Sequence, residues 1–249
     1  MQEDAFAVQL VAGLLFLPAA VHLLRVAART GKLPERLLGW NFALVGIAYL
    51  LYEAPSALQL PEPWTPWYLI ARVVFGAGCL LAAVFAQRVF RPSVRWAQAL
   101  VCACIALVMG GIAVACLTGD PDGFSLANPG FWIESAGLNV PYLWLGSEAF
   151  LHHARARKRQ RIGLTPPFEC HRFLLWGIFA VFELCASCAA LVQYRAYAEV
   201  GYVSGAMDLL LGGSEIVTVT VATLAISTPA AYRHWVERSA TAALPAEEG

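Results

Sequence analysis

The chain has 249 residues, no net formal charge at pH 7 and a mean hydropathy of +0.61. Hydrophobic residues make up 59% and charged residues 14%, against roughly 45–50% and about 25% in a soluble domain. A soluble core cannot absorb so much apolar surface, so the composition excludes an ordinary soluble enzyme and points to a polytopic, all-α membrane protein with no separate kinase, hydrolase or DNA-binding domain.

In chain order, Met1-Gln-Glu-Asp is acidic, whereas a cleaved signal peptide opens on a basic n-region. The first apolar run is therefore expected to remain as a helix with its N-terminus outside. A membrane-spanning helix needs about 20 apolar residues, and seven runs qualify: 5–24, 37–57, 68–90, 96–117, 131–151, 172–194 and 201–231. They predict one seven-transmembrane-helix domain over 1–238, followed by a short disordered cytoplasmic tail over 239–249. The connections set the orientation. The first carries Arg25, Arg29, Lys32 and Arg36, the third Arg88, Arg91 and Arg95, and the fifth the dense run Arg155-Ala-Arg-Lys-Arg-Gln-Arg161 with Arg172 beyond it. With Arg233 and Arg238 near the C-terminus, nearly all the lysines and arginines fall on one side; Arg72 and Arg195 are the exceptions. The other loops hold Glu53 to Glu62, Asp120-Pro-Asp122 and Glu199. Positive residues stay on the cytoplasmic face, which puts the N-terminus outside and the C-terminus inside.

The outer loops are rich in proline and aromatic residues (Pro61 to Tyr68, and Asn128 to Trp132). They read as an interfacial aromatic belt or as a docking surface. Short matches between segments one to three and five to seven (Pro18 with Pro141, Trp40 with Trp176, Gly76-Ala-Gly78 with Gly212-Gly213) suggest an internal repeat of the kind found in transporters. Nearly all seven cysteines lie in apolar runs, so they read as small packing residues rather than a disulfide framework. No His-x3-His spacing and no Gly-x-Ser-x-Gly elbow is present, so no metal site and no catalytic residue is predicted, and the chain leans away from being an enzyme.

Ionisable residues within spanning helices are functional candidates by default, because each costs at least about 2.5 kcal/mol to insert. Glu183 and Glu215 fall near mid-depth in the sixth and seventh segments. Asp208 lies seven residues before Glu215 and shares its helix face. Arg72, Glu53 and Glu134 lie in the outer half; Glu148 and His22 lie toward the inner side. These groups form a candidate ligand or proton pathway, or else glue between helices, with Arg72 satisfied by Glu53 or Asp208. Trp144, Trp176 and Tyr142 are candidate walls of an apolar ligand pocket. A flat, exposed small-residue face at Gly76-Ala-Gly78 would instead indicate a subunit of a larger complex.

Arg72 in the outer third segment and Asp208 in the outer seventh resemble the counter-ion region of microbial rhodopsins, seven-helix chains of similar length and orientation. The resemblance implies a retinal Schiff base on a lysine one turn after the aspartate. Gly212 stands at that position, Phe75 and Gly76 follow Arg72, and the only lysines, Lys32 and Lys158, lie in inner loops, so no retinal cofactor is expected there. The function expected first is a sensor or binding protein for a small or lipidic ligand that signals through its basic inner loops; the alternatives are a proton-coupled transporter using the intramembrane carboxylates and a structural subunit of a membrane complex. The expected partners are the bilayer, anionic lipid headgroups at the basic loops, and a protein partner or a second copy, with no nucleic acid. Few lysines beside abundant arginine, alanine and leucine fit a GC-rich bacterial genome, hence an inner (plasma) membrane.

Overall fold

In a computed structural model the chain is all-helical among the described residues, which are 2–60, 65–121, 125–200, 205–227 and 230–242. Of these, the side chains of 2–10, 12, 56–57, 194–200, 205–209, 230 and 239–242 lie outside the description, and so does the predicted site residue Asp208. The helices are α1 (Gln2–Thr30), α2 (Leu33–Ala57), α3 (Thr65–Phe90), α4 (Arg95–Leu117), α5 (Pro129–Gln160), α6 (Pro167–Val200), α7 (Gly205–Ser227) and α8 (Ala230–Ala242). Each of the first seven packs on its sequence neighbour, and α1 closes onto α7 to complete a ring. α3 also reaches across to α5, and α8 rests on α6. The antiparallel order brings the arginine-rich connections to one end, called here the basic end.

Among the described residues, six segments are long and apolar enough to cross a membrane: Gly13–Thr30, Leu33–Pro55, Thr65–Phe90, Arg95–Leu117, Pro167–Gln193 and Leu210–Ser227. The protein is thus a multi-pass membrane protein by the length and composition of its helices. The fifth expected segment, 131–151, is not among the six. It forms most of α5, whose Glu134, Asn139, Glu148 and basic C-terminal turn lower its hydropathy. Of the seventh expected segment, helix is described to Ser227 in α7 and from Ala230 in α8, with 228–229 outside the described residues. Helix also extends into the stretch expected as a disordered tail, as far as Ala242.

Local signals explain the other boundaries. Gly31 (φ 67°) donates its N–H to the Ala27 carbonyl at 2.8 Å and closes α1 in a left-handed cap. α5 starts at Pro129, with the Asn128 side chain accepting the Gly130 N–H at 2.8 Å; proline suits the first turn because its missing N–H would be unpaired there anyway.

In lipid, association of helices rests on close packing rather than on escape from water. Phe16, Phe42, Phe85, Leu145 and Phe179 are fully buried in one continuous core, with Phe16 edge-on to Phe42 at 5.1 Å. α4 and α5 come closest. A Cβ on Gly111 would lie 2.5 Å from the Glu134 backbone nitrogen, and one on Gly130 would lie 2.6 Å from the Ala115 nitrogen. Gly111→Ala and Gly130→Ala are each expected to lower stability by about 1–3 kcal/mol through overpacking, read as a drop in the thermal midpoint of purified protein. Gly110→Ala, whose Cβ meets nothing within 4 Å, should change it little.

Candidate functional site

The seven-helix ring gathers its polar interior at two levels. At mid-bundle, Glu215 of α7 is buried, 3% exposed, and its Oε1 accepts the Tyr49 hydroxyl of α2 at 2.7 Å. Its Oε2 is buried with no hydrogen-bond partner. Glu183 of α6, half-buried, lies within charge range of Glu215 and also of Tyr49, Cys79 and Tyr142. Five helices therefore contribute to one polar cluster: α2 through Tyr49, α3 through Cys79, α5 through Tyr142, α6 through Glu183 and α7 through Glu215. Asn41 adjoins the Tyr142 hydroxyl and donates to the Gly78 carbonyl at 2.8 Å, fixing α2 against α3 beside the cluster. No arginine, lysine or histidine contributes charge to either acid among the described residues. The arrangement is an acid pair with two phenols, one unpaired carboxyl oxygen and no built-in counter-ion. Such a site can hold a proton or a small cation.

Two other predicted acids, Glu134 and Glu148, sit in ion pairs that tie α5 to α3 and to Arg91 just after α3. Toward one end, buried Arg72 pairs with buried Glu134 and donates from Nη1 to the Pro121 carbonyl at 2.7 Å. The partner is thus Glu134 rather than the expected Glu53, which is half-buried on α2 with no ion pair among the described residues; the expected alternative Asp208 lies outside the described residues. Toward the basic end, Arg91 grips buried Glu148 in a fork, Nε to Oε1 at 2.8 Å and Nη2 to Oε2 at 3.1 Å. Glu134 and Glu148 are fourteen residues apart, so the clamps are separated by about 21 Å along α5. Glu148 therefore joins two helices rather than continuing a line of free acids.

His152, one turn beyond Glu148 and past the expected fifth span, has its Nε2 4.0 Å from Glu148 Oε2. Burial holds His152 below its ordinary value of 6.5; Glu148 opposes that shift, and Arg155 and Arg91 reinforce it. A histidine depressed in the folded state gives stability that is full above pH 6.5 and lost as pH falls through the lowered value. Glu148→Gln is expected to lower the His152 value further, because it removes the opposing charge. The check is an NMR titration of the ring; an upward shift would contradict the pairing.

Between the acid pair and the basic end, α7 carries hydroxyls without partners. Thr218 is 0% exposed and its Oγ1 is unbonded, as is Thr223 Oγ1. Hydroxyls in spanning helices ordinarily bond back to their own carbonyls. Ser227, at the α7 terminus, meets exposed His22 Nε2 of α1 at 2.7 Å. A run of polar side chains thus leads from Glu215 toward the basic end along the side of the ring where α1 closes on α7.

The predicted aromatic wall is packed rather than open. Trp144 lies against Trp96 at 5.6 Å, Trp176 against Phe85, Phe90 and Phe173 at 5.1, 5.9 and 5.8 Å, and Tyr142 against Phe179 at 6.0 Å. Gly76 and Gly78 are buried, facing Val108 of α4 and Val45 of α2. Sequence reasoning missed Tyr49, Asn41 and Cys79, since a lone tyrosine or asparagine in an apolar run has no periodic signature. It also missed Arg91 as a clamp, because a loop arginine reads first as a topology signal.

Comparison with known protein families, characterised proteins and solved structures finds no match to this chain.

Proposed function

We propose that this multi-pass membrane protein is a proton-coupled carrier built on seven spans, with Glu183 and Glu215 as the groups that take up and release the proton or a small cation. The observation that carries the reading is the buried, unpartnered Oε2 of Glu215 in a cluster that contains a second acid and no basic residue. The two arginines paired with predicted acids are engaged elsewhere, Arg72 with Glu134 and Arg91 with Glu148. An acid pair left without a counter-ion in a low-dielectric interior gains most from a mobile one. The unbonded Thr218 and Thr223 hydroxyls and the Ser227–His22 contact supply a polar route toward one face.

Two structural points support α5 as a seventh span. It completes the ring between α4 and α6, and both of its acids are buried against arginines. With the arginine-rich connections gathered at one end, the positive-inside rule makes that end cytoplasmic, in a plasma membrane. A sensor for a small or lipidic ligand is the second reading, favoured by a cleft at the basic end between α5, α6 and α8. The complex-subunit reading is weakened by the burial of Gly76 and Gly78 inside the ring.

The test is proton flux into proteoliposomes under an imposed pH gradient. Flux above that of protein-free liposomes supports the carrier. Background flux from folded, reconstituted protein removes the proton pathway and leaves the sensor.

A further inference from the structure

The basic end holds a cleft of about 300 Å³ between the C-terminal part of α5, the first turns of α6 and the surface helix α8. Its polar lining includes His153, Arg157 and His171, and its apolar lining includes Leu174, Trp235 and Val236. No carboxylate lines it. The two histidines are already anchored: His153 Nδ1 meets the Cys170 carbonyl at 2.9 Å, and His171 Nδ1 meets the Tyr232 hydroxyl at 2.7 Å. His153 donates its Nδ1–H to that carbonyl, whereas the Tyr232 hydroxyl can donate to His171 Nδ1 and leave an Nε2–H to donate to a ligand. Arg157 is exposed and has no ion pair among the described residues. Tyr232 stacks on Trp235 at 5.9 Å and so helps set the aromatic wall that α8 contributes.

The surroundings belong to a membrane surface. The α5–α6 connection exposes Ile162 by 69% and Leu164 by 71%, directly after the arginine run, and Trp235 is 53% exposed on α8. Large apolar side chains beside basic ones, at the ends of long apolar helices, match the boundary between headgroups and acyl chains. The cleft volume is at the lower end of small-molecule pockets. It accommodates a headgroup and the first carbons of a chain, while the rest of a lipid would continue along the outside of α6.

We propose that this cleft is a specific site for the phosphate headgroup of an anionic phospholipid. Arg157 and the Nε2–H of His171 would donate to the phosphate oxygens, and Leu174, Val236 and the Trp235 ring would hold the glycerol and upper acyl carbons. The site does not depend on the acid pair at mid-bundle, so it stands or falls separately from the carrier reading.

The experiment is native mass spectrometry of the full chain released from mixed phosphatidylglycerol and phosphatidylcholine nanodiscs, with Arg157→Gln, Trp235→Ala and Arg29→Gln as variants. Arg29 is equally basic and exposed but lies at the end of α1. The expected result is one retained phosphatidylglycerol per chain, reduced about tenfold by Arg157→Gln, the worth of a charge-assisted hydrogen bond. Trp235→Ala should also reduce it and Arg29→Gln should not, with thermal midpoints unchanged. Equal retention of phosphatidylcholine, or equal loss in Arg157→Gln and Arg29→Gln, would overturn the site. Displacement of the lipid by soluble glycerol phosphate at comparable concentration would overturn the lipid assignment in favour of a free phosphorylated ligand.

Discussion

Glu215→Gln is expected to reduce proton flux to the level of protein-free liposomes while leaving the bundle folded. Glutamine has almost the same shape and can still accept the Tyr49 hydroxyl through its carbonyl oxygen, so the contact at 2.7 Å can survive. What disappears is the titratable oxygen, the one buried without a partner. Glu183→Gln should have the same direction of effect, because the pair loses one of its two proton-holding groups. Tyr49→Phe should lower flux by only about fivefold, the worth of roughly one hydrogen bond. The variants are compared in proteoliposomes at matched protein content, with thermal midpoints measured alongside. Wild-type flux that persists in Glu215→Gln would place the pathway elsewhere in the bundle and remove Glu215 from it.

Arg72→Met should be the most destabilising single change away from the glycine contacts, by about 3–5 kcal/mol, because it strands the Glu134 carboxylate in the interior. Arg72 is 3% exposed and Glu134 7%, so water cannot take over the lost partner. The Pro121 carbonyl loses its donor in the same step. The double variant Arg72→Met/Glu134→Leu should recover much of the loss, since an apolar pair of similar volume removes both charges together. Thermal unfolding of the three proteins in one detergent checks this. A single-variant loss below about 1 kcal/mol would mean that the pair is solvated as a surface ion pair is. Arg91→Gln should cost less, because Arg91 is about one-third exposed and water screens what remains.

The membrane class and most of the helices were legible in the sequence because both follow from local composition. Twenty apolar residues in a row have few alternatives, and 59% hydrophobic content leaves no soluble solution. The gathering of arginines at alternate connections was equally local, and so was the candidacy of Glu183 and Glu215, which rests on the cost of an acid at mid-depth.

Only the tertiary structure decided the partners. Arg72 had Glu53 and Glu134 at similar depth, and it meets Glu134 across the contact of α3 with α5 although α2 also packs on α3. The same packing gave Glu148 to Arg91, filled the space around Trp144 and Trp176, and brought Tyr49 to one oxygen of Glu215 while leaving the other bare. A sequence fixes how deep a side chain lies along its own helix, because rise per residue is constant. Which neighbour it meets at that depth depends on the rotation and order of seven helices around a ring, and that is a property of the packed bundle alone.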